Sequence, residues 1–341
     1  MARKYGGLVN PLPRKKADDP KLAYRMRHIK QLSEIASQVD CSPPVLEYGA
    51  HTLLKVICVS SYSFGFCSIV HGDKARSQGY DGAIYLDLFA GPGVVKISDN
   101  GVNGDFVAGS PLAVSSHKKF DYSIFIEKAP RSSAILERRL GSMLEKEKFR
   151  VVPGDCNEKI GEVVDDVNKR YSRPIVLAFV DPEGMEIKFE TLRKLSASFR
   201  NVDFMINLNA GTERVAGQIA VGEPQSIPIF NDFFEGLAPK ILVELALGAT
   251  STERVEERYA RMVREVLGRT IGNIIPIYAK GAVLKYSILS YTRASSTGSQ
   301  WVRIWEHIAK MLDGVDGEDA RRTLDIVKNR GDGFLDKWSS T

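Results

Sequence analysis

Four cysteines in 341 residues, Cys41, Cys58, Cys67 and Cys156, form no C-x-x-C pair and have no companion histidine at zinc spacing. That scatter supports neither a disulfide framework nor a metal site, and reads as reduced structural thiols. Long apolar runs are missing too. No uninterrupted window reaches the length needed to cross a bilayer, and the basic, proline-bearing residues 1–16 lack an apolar signal core. The expectation is a cytoplasmic protein with no membrane contact. There is no G-K-[ST] phosphate loop, no internal repeat and no low-complexity segment. An excess of one charge is also absent overall, at net +5, although nine Lys or Arg against three Asp or Glu precede Ile35. That local bias fits a solvated tail or an arm that follows a phosphate backbone.

What is present is 43% hydrophobic residues, enough to bury a large core as one α/β domain with extensions or as two domains. The organising stretch is residues 84–93, I-Y-L-D-L-F-A-G-P-G. An apolar run of strand length ends in glycines, which suits a strand entering a ligand turn. Gly91 and Gly93 let a bulky ligand approach the backbone and make positive φ available where the chain doubles back. Asp87 lies inside the apolar run, where a carboxylate is costly unless hydrogen-bonded, so it orders the turn or binds a ligand through water.

Helical spacing over residues 21–39 is stopped by Pro43-Pro44, and a second helix over 45–70 is interrupted near Gly65. Residues 94–108 read as a loop, followed by a helix start with Ser110 as cap and Pro111 at the first helical position. Strands at 122–127, 149–153, 175–180 and 202–208 alternate with helices at 129–146, 160–171 and 189–195. Continuous apolar strands alternating with amphipathic helices indicate a parallel sheet covered on both faces. Beyond Gly211 come helical stretches at 212–218, 230–237 and 252–267, the last with Val255, Tyr259, Met262 and Val266 inward and Arg254, Arg258 and Arg261 as a stripe. Strand-like runs at 274–279 and 284–292 flank Lys280-Gly281 as a hairpin that closes the sheet with an antiparallel pair. Helices follow at 300–312, with Trp301, Trp305 and Ile308 aligned, and at 318–329. The resulting division is a basic leader and helix (1–44), an α/β domain (45–312) with a helical insertion at about 211–272, and a C-terminal helical extension (313–341).

Ligands of such sheets sit at the carboxyl ends of the strands. Four successive strands leave an acid there, Asp87, Glu127, Asp155 and Asp181, and those four are expected to converge. Several carboxylates repel a triphosphate but favour a cofactor with a cationic sulfonium and amino group, which points to S-adenosylmethionine. In that arrangement Gly91 and Gly93 pass the methionine part, Asp87 anchors the amino group directly or by water, Glu127 takes the ribose hydroxyls, and Asp155 with the Cys156 backbone reads the adenine edge. The full cofactor set is Asp87, Phe89, Gly91, Gly93, Ser110, Glu127, Lys128, Asp155, Cys156 and Asp181. A dinucleotide is the rival. Against it, the third glycine is missing and Glu127 lies forty residues beyond Asp87, where roughly twenty separate the fingerprint from its acid in dinucleotide folds. In Asp181-Pro182-Glu183-Gly184, Asp181 and the Pro182 carbonyl can each accept a hydrogen bond from an amino group. They would then aim a nitrogen lone pair at a methyl donor, which assigns catalysis to this pair. A strand-ending turn is the plainer reading of the same four residues.

Y-L-D-L-F-A-G-P-G at residues 85–93, G-S-P-L-A at 109–113, G-D-C-N at 154–157, F-V-D-P-E-G at 179–184 and V-D-F-M-I-N at 202–207 resemble the three-Cys-motif partner proteins, TcmP. The likeness runs over roughly residues 45–308. The resemblance implies a class I, Rossmann-like methyltransferase sheet dependent on S-adenosylmethionine. It further implies a bacterial or phage source and a three-cysteine partner similar to radical S-adenosylmethionine enzymes. Nucleobase amino-methyltransferases carry Pro and an aromatic after D-P, whereas this chain has Glu183 and Gly184. A D-P-aromatic-G turn, matched here except at Glu183, is similar to that of tRNA guanine-N2 dimethyltransferases, which keeps an RNA amine among the acceptors. The expected activity is methyl transfer to an RNA or DNA amine. The alternatives are a cofactor-binding scaffold that docks the partner through Trp301 and Trp305, or a methyltransferase acting on small molecules or proteins.

Overall fold

The computed structural model describes residues 19–98, 104–209, 227–236, 252–268, 271–292 and 299–329. In chain order the elements are α1 (Pro20–Ser37), β1 (Leu46–Tyr48), α2 (His51–Val70), α3 (Asp73–Ser77), β2 (Gly82–Asp87), β3 (Val94–Ile97), β4 (Asp105–Ala108), α4 (Ser110–Ser115), β5 (Tyr122–Glu127), α5 (Pro130–Gly141), β6 (Phe149–Pro153), α6 (Cys156–Arg170), β7 (Pro174–Val180), α7 (Phe189–Ser198) and β8 (Asn201–Asn209). They continue with α8 (Ile227–Phe234), α9 (Thr252–Leu267), β9 (Ile271–Tyr278), β10 (Leu284–Thr292), α10 (Gln300–Leu312) and α11 (Gly317–Asn329).

Seven strands form one sheet in the order β6-β5-β2-β7-β8-β10-β9. The first five are parallel, and β10 and β9 add an antiparallel hairpin at the edge. This is the Rossmann-like α/β sheet with a terminal hairpin that the apolar runs imply. All six residues of β2 and all seven of β7 are buried, as a parallel strand covered on both faces requires. Alternation sorts their side chains. Tyr85, Leu177, Phe179 and Met205 pack on the side of α2, while Ile84, Leu86, Val176, Ala178 and Ile206 pack with Ile160 and Val163 of α6 and Leu192 of α7.

Register puts the acids on one rim. Asp87 pairs with Phe125 and with Phe179, so Glu127 and Asp181 each stand two residues further along. Glu127 pairs with Pro153, which sets Asp155 two beyond that. Asp181 keeps the parity of Leu177 and Phe179 and therefore leans toward α2.

Several local expectations are corrected. Residues 45–70 are not one helix: Leu46–Tyr48 is a strand that pairs parallel to β3. From His51 the helix then runs unbroken through Gly65, because Gly65 is where α10 packs closely, and a Cβ there would lie 2.6 Å from Ile304 Cδ1. Residues 94–108 are not a plain loop, since β3 and β4 pair antiparallel within them. Gly109, not Ser110, is the cap of α4, and the Ser110 hydroxyl is spent on Asp87 instead. Val266 is 46% exposed, and Val263 takes its inward place beside Tyr259 and Met262. Residues 212–218 and the side chains of Arg254 and Val255 lie outside the described residues, as do residues 1–18 and much of the expected insertion.

Among the described residues one helix, α2, is long and apolar enough by composition to cross a membrane. Its Leu53, Leu54, Ile57, Val59 and Phe66 are instead packed in the core. Trp305, 2% exposed, stands edge-on to Tyr62 at 5.7 Å, and Trp301 meets Phe66 at 5.3 Å. Trp305 thus packs inward, while Trp301 is partly buried against the same core.

Candidate active-site cleft

A cleft of about 800 Å³ opens at the carboxyl ends of the parallel strands. Ten of the residues singled out from the sequence line it: Phe89, Gly91, Gly93, Ser110, Glu127, Lys128, Asp155, Cys156, Asp181 and Pro182. The eleventh, Asp87, stands behind the wall and is fully buried.

The glycine turn is built as its sequence requires. Gly91 has φ +63° and Gly93 φ +85°, a region that costs any residue with a Cβ. A Cβ on Gly93 would also lie 2.8 Å from Leu136 and 3.1 Å from Leu112. The turn is held from three sides. Gly91 N donates to Glu127 Oε2 at 2.7 Å, Gly109 N donates to the Gly93 carbonyl at 2.8 Å, and Arg139 Nη1 donates to the Pro92 carbonyl at 2.6 Å. Arg139 is 1% exposed. Its other donors reach the carbonyls of Asp40 (2.6 Å), Ser42 (2.7 Å) and Pro44 (3.3 Å), tying the turn to the segment before β1. Burial pulls its pKa below the usual arginine value. Nothing in the spacing of α5 singles out this arginine, because its partners are main-chain carbonyls from two separate places, the segment before β1 and the glycine turn.

Glu127 also accepts from Ala129 N at 2.7 Å, so each oxygen is fixed by one amide and keeps lone pairs for further donors. Asp155 caps α6, accepting from Asn157 N and Nδ2 at 2.9 Å each and from Lys128 Nζ at 3.0 Å. Its partial burial works to raise its pKa, but the bonds from Asn157 and Lys128 outweigh that and hold it below the ordinary value. Asn157 spends its remaining groups on the stretch after β7, donating to the Glu186 carbonyl at 2.8 Å and accepting from Lys188 N and the Thr191 hydroxyl. It thereby ties the residues after β7 to the Asp155 end of the cleft.

Asp87 accepts from Ser110 Oγ (3.1 Å), Tyr85 Oη (3.2 Å) and Phe89 N (3.3 Å). Burial, and then the charge of Asp181, raise its pKa to about 7. Asp87 is fully buried and does not line the cleft. Ser110 lies between Asp87 and the cleft.

Asp181 has partners that sequence reading missed. Lys55 Nζ lies 2.7 Å from Oδ2 and 3.0 Å from Oδ1, and Asn207 Nδ2 donates to Oδ1 at 2.6 Å. Lys55 lies over the rings of Tyr286 and Tyr48, 5.3 and 5.9 Å from their centroids. Tyr48 donates to Glu183 at 2.8 Å, and burial followed by that bond drives its pKa up. The available signal was Lys55 itself, the only Lys, Arg, Asp or Glu in the twenty residues of α2. A lone charge on a buried helix needs a partner.

No protein-family model and no curated protein matches the chain. Solved structures similar to it include protein LPL1258 from Legionella pneumophila, at 13% identity over 76% of this chain and 92% of that one, with TM-score 0.45. Others are an O-methyltransferase from Bacillus cereus in complex with SAH (11% identity, 79% and 90% covered, TM-score 0.34) and Trm1 from Pyrococcus horikoshii with S-adenosyl-L-methionine (10%, 79% and 60%, TM-score 0.36). Likenesses this distant fix neither activity nor substrate.

Proposed function

We propose that the chain is an S-adenosylmethionine-dependent methyltransferase that acts on an amine nitrogen of RNA or DNA. The carrying observation is the rim cleft itself, in which a positive-φ glycine turn lies between Glu127, Asp155 and Asp181. The lining fits the group: acids with free lone pairs stand on the rim, while the missing side chain at Gly93 is required by the packing of Leu136 and Leu112 behind the turn. Glu127 would hold the ribose hydroxyls, and Asp155 with the Cys156 backbone the adenine edge. Ser110, with Asp87 behind it, would hold the amino group. A bound cofactor of this kind supplies an electrophilic methyl on a sulfonium. Asp181 and the Pro182 carbonyl would orient the acceptor nitrogen, and the carboxylate would accept the proton that nitrogen loses.

The motif strings further support membership of the TcmP family, with a three-cysteine protein as partner; co-purification of the two chains tests that arrangement. The activity is tested by incubating purified protein with methyl-labelled cofactor and bulk bacterial RNA or DNA. Label is expected in nucleic acid and is expected to fall at least a hundredfold with Asp181→Ala. Cofactor binding without transfer to any acceptor, with the partner present, would favour the scaffold reading instead.

A further inference from the structure

Asp181, the residue assigned to the acceptor, is already occupied. A carboxylate offers about four lone-pair positions. Here two contacts go to Lys55 and one to Asn207. One position remains, so an incoming amine that is to make more than a single hydrogen bond to Asp181 must displace Lys55.

The surroundings of Lys55 Nζ describe what that place accepts. On one side is a half-buried carboxylate, with the side chains of Lys55 and Asp181 only 14% and 15% exposed. Beyond it stand the faces of Tyr286 and Tyr48. A carboxylate flanked by aromatic faces is the recognition chemistry of an alkylammonium. Asn207 is fixed in one orientation, because only its NH₂ can face the acceptor-only carboxylate, and its Oδ1 is left buried without a partner. Lys55 and Asp181 line the same cleft as Pro182 and the glycine turn.

Resting on the methyltransferase reading above, we infer that the Lys55 ammonium is an internal occupant of the acceptor-amine seat, and that the acceptor is an alkylamine carried on the nucleic acid, protonated in solution unlike the neutral exocyclic amine of an ordinary base, that replaces it on Asp181. Lys55 thus acts as a specificity-determining residue. A hydroxyl or thiol acceptor carries no charge to exchange for the ammonium, whereas a protonated amine exchanges like for like and then passes its proton to Asp181.

Two neutral-versus-charged ligands test this without turnover. S-adenosylhomocysteine has a neutral sulfur. Sinefungin carries a protonated amine on the carbon that replaces the sulfonium centre, directed to where a transferable methyl would stand. Their affinities are measured by calorimetry on wild type, Lys55→Met, and Lys55→Met combined with Asp181→Asn, with Lys55→Gln as the variant that keeps a neutral donor to Asp181. The expected result is a preference for sinefungin over S-adenosylhomocysteine that rises at least tenfold in Lys55→Met and in Lys55→Gln, and returns to the wild-type ratio in the double variant. An unchanged or lower ratio overturns the inference. So does loss of S-adenosylhomocysteine binding in both single variants while wild type binds, since Lys55 would then serve the fold or the cofactor. Absence of binding to wild type removes the cofactor reading itself, and this inference with it.

Discussion

Asp87→Asn isolates the cost of the one acid that stands behind the cleft wall. Its carboxyl is displaced from an ordinary 3.8 to about 7, first by burial and then by Asp181. In the unfolded chain it ionises near the ordinary value. Between those two pH values the folded protein therefore binds one more proton than the unfolded chain. Stability from this group is fully present below pH 3.8 and is lost as pH rises through about 7. At 1.36 kcal/mol per pH unit the loss amounts to about 4 kcal/mol. Asparagine cannot ionise and keeps the local bonds: its oxygen accepts from Phe89 N, and its NH₂ donates to the hydroxyls of Tyr85 and Ser110, which turn to accept. Relative to wild type, the variant should gain up to about 4 kcal/mol between pH 4 and pH 8. Denaturant midpoints of both proteins across that range measure the gain. Parallel curves would refute the argument, because they would mean that Asp87 carries no ionisation linked to folding.

Three further outcomes follow from the same geometry. Arg139→Met removes donors from four main-chain carbonyls and should cost on the order of 3–5 kcal/mol, read by denaturant melts. Gly93→Ala places a Cβ at φ +85° and 2.8 Å from Leu136, so it should lower stability by about 1–3 kcal/mol and weaken S-adenosylhomocysteine binding in calorimetry. Glu127→Ala leaves the Gly91 and Ala129 amides without their acceptor and should reduce that binding at least tenfold.

The sheet was legible because its strands are unbroken apolar runs, a pattern that buried parallel strands share with little else. β5, β6 and α9 fall where periodicity places them. β1, β3 and β4 were not legible: they are short, carry Glu47, Lys96 and Asp105, and form their own sheet at the cleft mouth. Gly65 read as a break because glycine disfavours helix in isolation, whereas here the contact with Ile304 outweighs that preference. At the site, strand ends located Glu127, Asp155 and Asp181, since parallel register aligns them. Lys55 and Arg139 escaped because each acts on partners distant in sequence. Lys55 is 126 residues from Asp181, and only the parity that turns Asp181 toward α2 brings them together.

The most direct test of the account is a crystal structure grown with S-adenosylhomocysteine. The ribose hydroxyls are expected within hydrogen-bond distance of Glu127, the adenine edge at Asp155 and Cys156, and the sulfur facing the Lys55–Asp181 pair. A ligand bound elsewhere, or a cleft that stays empty at saturating concentration, would contradict it.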